Sequence, residues 1–166
     1  MKNVHSKNAF TLVELLITIS IIAILAAIGI VTYSVALKSG RDSKRQSDLR
    51  AVQSALEQYH NDQGFYPTDG LDTLLGQSPP PAFTNCAGNP VSPCTITKTY
   101  MNSLPQDPQS LPQPRYKYEA FNDNNPCDNL TTKCTRYCLN AKLENTSPPR
   151  PPNCNNASYN FVVTPP

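Results

Sequence analysis

One carboxylate stands where charge is expensive. Glu14 is the only charge between Phe10 and Leu37, and Leu15–Leu37 carries none. A carboxylate at the centre of a bilayer costs about 2.5–3.5 kcal/mol, and less near the interface. Glu14 lies one helical turn beyond Phe10, so it is shallow. Two roles compete for it: an interfacial acid that snorkels to water, or a charge that needs a partner. A second group able to do chemistry is the set of six cysteines, all at or after Cys86. They would form disulfides or hold zinc. No C-x-x-C pair occurs and both histidines, His5 and His60, are remote in sequence, which weighs against zinc. A third group is Asp123, Asn124, Asn125 and Asp128, whose oxygens suit Ca²⁺. The glycine an EF-hand loop needs is missing there, and a hydrogen-bonded Asx-rich turn accounts for the same residues. There is no phosphate loop, nucleophile elbow or H-E-x-x-H, so no enzyme activity is expected.

The elements that carry these residues are strongly segregated along the 166-residue chain, a length that suits one domain or one domain with an appendage. All 17 prolines lie at or after Pro67. As a helix, Phe10–Leu37 would span roughly 42 Å against a hydrocarbon layer of about 30 Å. A membrane helix is expected, tilted or protruding. Lys2 and Lys7 precede it with no acid among them, so the N-terminus belongs in the cytoplasm and everything after Leu37 faces outward. A cleaved secretory signal is the rival; its apolar stretch would be about 7–15 residues long and followed by an A-x-A site, and neither feature fits. The net charge of +2 is the surplus of Lys2 and Lys7, so bulk electrostatics do not favour a nucleic-acid partner.

From Lys38 to Gln63 the pattern changes. Leu49, Val52, Leu56 and Tyr59 recur at spacings of three and four, with Ala51 and Ala55 beside them, the signature of an amphipathic helix. Arg41, Lys44, Arg45 and Arg50 are interleaved with Asp42, Asp48 and Glu57. A basic patch for DNA is one reading; the mixed acids favour a solvated face, partly between subunits. Gly40 marks a weak point, and Gly64 with Pro67 stops the helix. If continuous, Phe10–Gln63 makes a rod of roughly 80 Å. Beyond it, Tyr116, Tyr118 and Ala120 alternate with Arg115, Lys117 and Glu119. Tyr137, Leu139, Ala141 and Leu143 alternate with Cys138, Asn140, Lys142 and Glu144, and Tyr159–Val163 supplies another candidate strand. An antiparallel sheet with one buried face is predicted, covered by the Leu49–Tyr59 stripe. Segments 78–95 and 145–157 read as loops. The expected fold class is therefore α+β, a long helix with a membrane half and an amphipathic half, packed on a small antiparallel sheet head.

In an outward-facing head with a thin core, the six cysteines read as three disulfides. Six allow fifteen pairings. Cys86 with Cys94 would close a proline-flanked loop and Cys138 with Cys154 would tie the last loop to a strand, leaving Cys127 with Cys134.

The stretch Lys7-Asn8-Ala9-Phe10-Thr11-Leu12-Val13-Glu14-Leu15-Leu16 resembles the processing motif of type IV prepilins and type II secretion pseudopilins. Tyr59–Thr68, Gly70-Leu71 and Leu74-Leu75 are similar to the helix end and following loop of major pseudopilins. Tyr100, Leu104-Pro105, Asp107-Pro108 and Tyr116-Lys117-Tyr118 are similar to their strand region. The resemblance covers about residues 7–118, with weaker similarity at Tyr137–Glu144. It implies a pilin-like lollipop and four parts: leader 1–9, assembly helix 10–37, head helix 38–63 and a disulfide-braced head 64–166. It implies cleavage between Ala9 and Phe10 by prepilin peptidase, N-methylation of Phe10, and an assembly role for Glu14. A homo-oligomeric filament is implied, raised from the membrane by an assembly ATPase and a platform membrane protein. Related pseudopilins also bind calcium in a head loop, which points to Asp123, Asn125 and Asp128. Two departures stand out: Ala9 where the family has Gly, and no proline in Gly29-Ile30-Val31-Thr32-Tyr33. The motifs after the helix favour a secretion filament; the cysteine-rich head favours an exposed pilus for attachment, motility or DNA uptake. A membrane-tethered binding module that never polymerises is the competing class.

Overall fold

The computed structural model describes residues 10–87, 93–109, 116–123, 125–145, 151, 154 and 156–166. The leader with Ala9, and Arg115 and Asn124, lie outside them. The chain divides into two compact units, one ending at Lys38 and one comprising Ser39–Pro166. A single helix, α1 (Leu12–Gln63, 52 residues), contributes to both. It runs through Gly29 and Gly40 without a break, and ends where Gly64 takes φ +75°, the left-handed value that suits a residue without Cβ.

In the outer unit, α1 is followed by a short helix, α2 (Gly70–Leu75), and six strands: β1 (Phe83–Thr84), β2 (Thr99–Met101), β3 (Lys117–Asn122), β4 (Asn125–Pro126), β5 (Arg136–Ala141) and β6 (Phe161–Val163). All pairings are antiparallel: β1 with β2, and a four-stranded sheet in the order β4-β3-β5-β6. The fold is the expected α+β arrangement of a long N-terminal helix with small antiparallel sheets. The stripe Leu49, Val52, Leu56 and Tyr59 is fully buried in one core with Leu71, Phe83, Tyr118, Tyr137 and Leu139. Tyr59 stacks on Phe83 at 5.6 Å, and Tyr66 meets Tyr137 edge-on at 4.8 Å. The hydroxyls of Tyr66 and Tyr137 both donate to Glu57, at 2.9 and 3.0 Å, so these rings are buried without orphaning their polar ends.

Three sequence expectations are corrected here. Segment 78–95 is not all loop: Phe83 pairs with Met101 and is completely buried. Strand β5 does not present one wet face, because Tyr137 through Ala141 are all buried. On that side Cys138 is bonded to Cys154, and Asn156 donates to Glu119 on β3. Helix α2, at six residues, is too short for a helical period to show in the sequence. It also manages the edge of β3: the Tyr118 and Ala120 amides donate to Asp72 and Asp69 at 2.9 and 2.6 Å, so carboxylates stand in for a neighbouring strand.

The third correction concerns the charged face of α1. Arg45 is 1% exposed and Asp42 is also buried. The Arg45 guanidinium forks onto Asp107 through Nε and Nη2 at 2.8 and 3.0 Å, and reaches Asp42 and Glu144 at 3.0 Å each. Arg41 donates twice to Glu144 at 2.6 Å, and Asp42 accepts the Glu144 and Asn145 amides at 2.9 Å. Two arginines and three acids thus bind the helix to the chain beyond β5 and to the Asp107 loop. A planar fork meeting carboxylates in this way is the strong form of a charged hydrogen bond. Arg41 first, then Arg45, holds the Glu144 carboxyl at about 2, below its ordinary 4.5. The folded chain therefore binds that proton less readily than the unfolded chain. The stability Glu144 contributes is complete above pH 4.5 and is lost as pH falls toward 2. Acid unfolding followed by circular dichroism is expected to show this loss in that window, with Glu144→Gln flattening the slope there.

Three disulfides brace the unit: Cys86–Cys94, Cys127–Cys134 and Cys138–Cys154, with Cα separations of 5.7, 5.2 and 5.8 Å. The last spans 16 residues, a closure worth about 3 kcal/mol. Replacing Cys138 and Cys154 together by Ser is expected to lower the unfolding free energy by about 2–4 kcal/mol in urea titrations.

Candidate assembly site

The first turn of α1 is built around the lone membrane acid. Thr11 is the N-cap residue: its hydroxyl accepts the Glu14 amide at 3.2 Å. Glu14 reaches back, its Oε2 accepting the Thr11 amide at 3.0 Å and the Thr11 hydroxyl at 2.7 Å. This is a reciprocal capping box, which satisfies two of the amides that any helix start leaves open. The signal lies in the sequence as Thr11-x-x-Glu14, and it is passed over when Glu14 is read only as a charge in an apolar run. Both side-chain bonds fall on Oε2; among the described residues, Oε1 accepts none. One carboxylate therefore fixes the helix end and still offers an oxygen, while its negative charge sits at the positive pole of the helix.

Beyond that turn the helix surface is apolar all round. The large hydrophobic residues from Phe10 to Leu37 are all exposed, from 45% at Leu37 to 79% at Phe10. The threonine and serine hydroxyls within the run are absorbed internally. Thr18 and Ser20 donate to the Leu15 and Leu16 carbonyls at 2.8 and 2.7 Å; Thr32 and Ser34 do the same to Gly29 and Val31 at 3.0 and 2.8 Å. The backbone and these four hydroxyls are thus paired within the helix, as immersion in lipid requires. Such a surface is not tolerated in water; it requires lipid or other apolar helices.

The same segment carries the family signature. Residues 4–30 match the family model described as the prokaryotic N-terminal methylation motif. Over a longer span the chain is 31% identical to type II secretion system core protein G of Aeromonas hydrophila, across 111 residues that make up 64% of this chain and 70% of the relative. It is 33% identical to core protein G of Klebsiella michiganensis over 107 residues, 63% and 69% of the two chains. The chain belongs to the family of type II secretion system core protein G, the major pseudopilins. Core protein G of Pseudomonas aeruginosa is 27% identical over 126 residues, covering 75% of this chain and 81% of the relative. No solved structure gives a significant match.

As a pseudopilin, the chain is a structural filament subunit, made as a membrane-anchored precursor that prepilin peptidase processes before helix packing assembles it. Its apolar helix, exposed from Phe10 to Leu37, is the membrane anchor of that precursor. Beyond that apolar stretch, His60 in the last turn of α1 stacks on Tyr66 at 4.5 Å. Asp123 opens the turn between the paired residues Asn122 and Asn125 with φ 52°, and Asp128 folds back on its own loop. Among the described residues, no three of His, Cys, Asp and Glu gather as metal ligands would.

Proposed function

We propose that prepilin peptidase cuts between Ala9 and Phe10, that the new Phe10 amine is methylated, and that the Glu14 carboxylate of one subunit pairs with this ammonium on the next. The observation that carries the proposal is the placement of a single acid, anchored through one oxygen to Thr11, at the head of a helix with no other charge before Lys38. In an apolar filament interior, either charge left alone costs about 3–5 kcal/mol. The pair therefore selects one axial register among the many that smooth apolar helices would accept. Growth is driven by an assembly ATPase acting through a platform membrane protein, and the filament serves protein secretion, the task in the relatives' printed name. The three disulfides support a second use, a pilus able to persist outside the cell.

N-terminal sequencing of fibres sheared from cells tests the proposal. Phe10 is expected as the first residue, carrying a methyl group. A chain that retains Met1 and occurs only in membranes would mark a tethered binding module instead.

A further inference from the structure

We propose that the outer unit carries a docking site for an acidic peptide segment of another protein, formed by a cavity beside the last turn of α1 together with Arg136 at the start of β5 and Lys133 in the loop before it. The cavity has a volume of about 370 Å³, and its walls include His60, Tyr66, Phe121, Tyr137, Pro151 and Pro165. That is the lower end of the roughly 300–1,000 Å³ of small-ligand sites, so it suits one large side chain. Rings and prolines make most of the wall, and they are fixed before anything binds. His60 stacks on Tyr66 with 23° between the ring planes. The hydroxyls of Tyr66 and Tyr137 are tied to Glu57, one to each oxygen. The Thr164 carbonyl, next to Pro165, accepts from the Gln53 side chain at 2.9 Å, and Cys154 at the cavity is bonded to Cys138. A site set in advance loses little freedom when a ligand enters.

Charge selects the occupant. Among the described residues that line the cavity none is Asp or Glu, and Arg136 is one of them. Elsewhere in the outer unit Arg41, Lys44, Arg45, Lys98 and Lys117 each meet a carboxylate. Arg136 and Lys133 are exposed, and among the described residues neither meets one. The Lys133 ammonium lies 4.2 Å over the Phe65 ring and donates to the Asn129 carbonyl at 2.9 Å, so its charge is positioned without being neutralised. In the same loop Asp128 accepts the Leu130 amide, and the Leu130 side chain stands out at 65% exposure. A lone exposed leucine is ordinary; this one belongs to the loop that runs through Cys134 directly into Thr135 and Arg136 of the cavity wall. The site thus offers a cavity for one apolar side chain, an aliphatic shoulder, and a guanidinium able to take a carboxylate on two donors. A second copy is a poor source of that carboxylate. The acids of the outer unit are engaged by its own cations, tyrosines and amides, with Asp123 the exception among the described residues.

Fluorescence anisotropy of a dye-labelled peptide, Asp-Glu-Phe-Leu-Asp-Glu, titrated with the full-length protein in detergent tests the proposal. Saturable binding is expected, weakening as salt is added. The same peptide with lysine in place of each acid is expected not to bind. Arg136→Glu is expected to weaken the acidic peptide by about tenfold or more, and Leu130→Ser by about threefold. Both variants are expected to melt within about 2 °C of the wild type, because both side chains are exposed. Absence of saturable binding, equal binding of the lysine peptide, or an unchanged affinity in Arg136→Glu would overturn the proposal. So would sedimentation in which the wild type self-associates and Arg136→Glu does not, since a second copy would then be the occupant. The peptide titration does not read the Phe10–Glu14 pairing, so failure of one leaves the other standing.

Discussion

Glu14→Ala is expected to leave the precursor inserted in the membrane and cut before Phe10, yet to produce no fibres. Insertion depends on the apolar run, which the substitution extends, and cleavage depends on residues around Ala9 and Phe10. Assembly is different. Each added subunit would bury a Phe10 ammonium without its carboxylate, at about 3–5 kcal/mol, or more than a hundredfold in the equilibrium constant for one addition. The penalty recurs at every step, so growth stops instead of slowing. Glu14→Gln separates the two jobs of the residue. Glutamine can complete the capping box with Thr11, so the helix start is preserved while the charge is lost. If pairing with the next subunit is the decisive role, Glu14→Gln fails to assemble as Glu14→Ala does. Fibre counts by electron microscopy and cleavage by mass spectrometry make both measurements.

Arg45→Met is expected to cost the outer unit about 3–5 kcal/mol of stability, out of roughly 5–15 for a domain of this kind. The side chain is 1% exposed, and its loss would leave Asp42, Asp107 and Glu144 with Arg41 as their remaining partner in the cluster. Methionine fills much of the volume, so the deficit is electrostatic: three carboxylates of low exposure, one cation. Arg45→Lys keeps the charge but cannot fork onto both oxygens of Asp107, and an intermediate loss is expected. Urea unfolding of the three proteins at neutral pH orders them. Equal stability of wild type and Arg45→Met would mean that the cluster contributes little beyond packing.

What the sequence made legible follows from the range of the interactions. The membrane helix is written in composition alone, and the stripe Leu49, Val52, Leu56, Tyr59 fixes which side of α1 is buried by local spacing. Alternation at Tyr118 and Ala120 and at Tyr137, Leu139 and Ala141 marks the two long strands, and these pair directly, Tyr118 with Leu139 and Ala120 with Tyr137. Arg45 reads as a solvated charge because Asp107 and Glu144 lie 62 and 99 positions away; nothing near it in the chain announces them. Cys138 reads as part of an exposed face for the same reason, since its partner Cys154 lies 16 positions away. Thr11 is the opposite case. Its partner is three residues away, and the capping signature is fully local.

Filament growth rests on a contact between subunits, and a cryo-electron-microscopy map of the assembled fibre, resolved to side chains, measures it directly. The predicted result is the methylated Phe10 nitrogen of one subunit within about 4 Å of a Glu14 carboxylate oxygen of its neighbour, with Thr11 still capping the same helix. A map in which Glu14 faces water or lipid and the Phe10 nitrogen lies apart from every neighbouring carboxylate would contradict it.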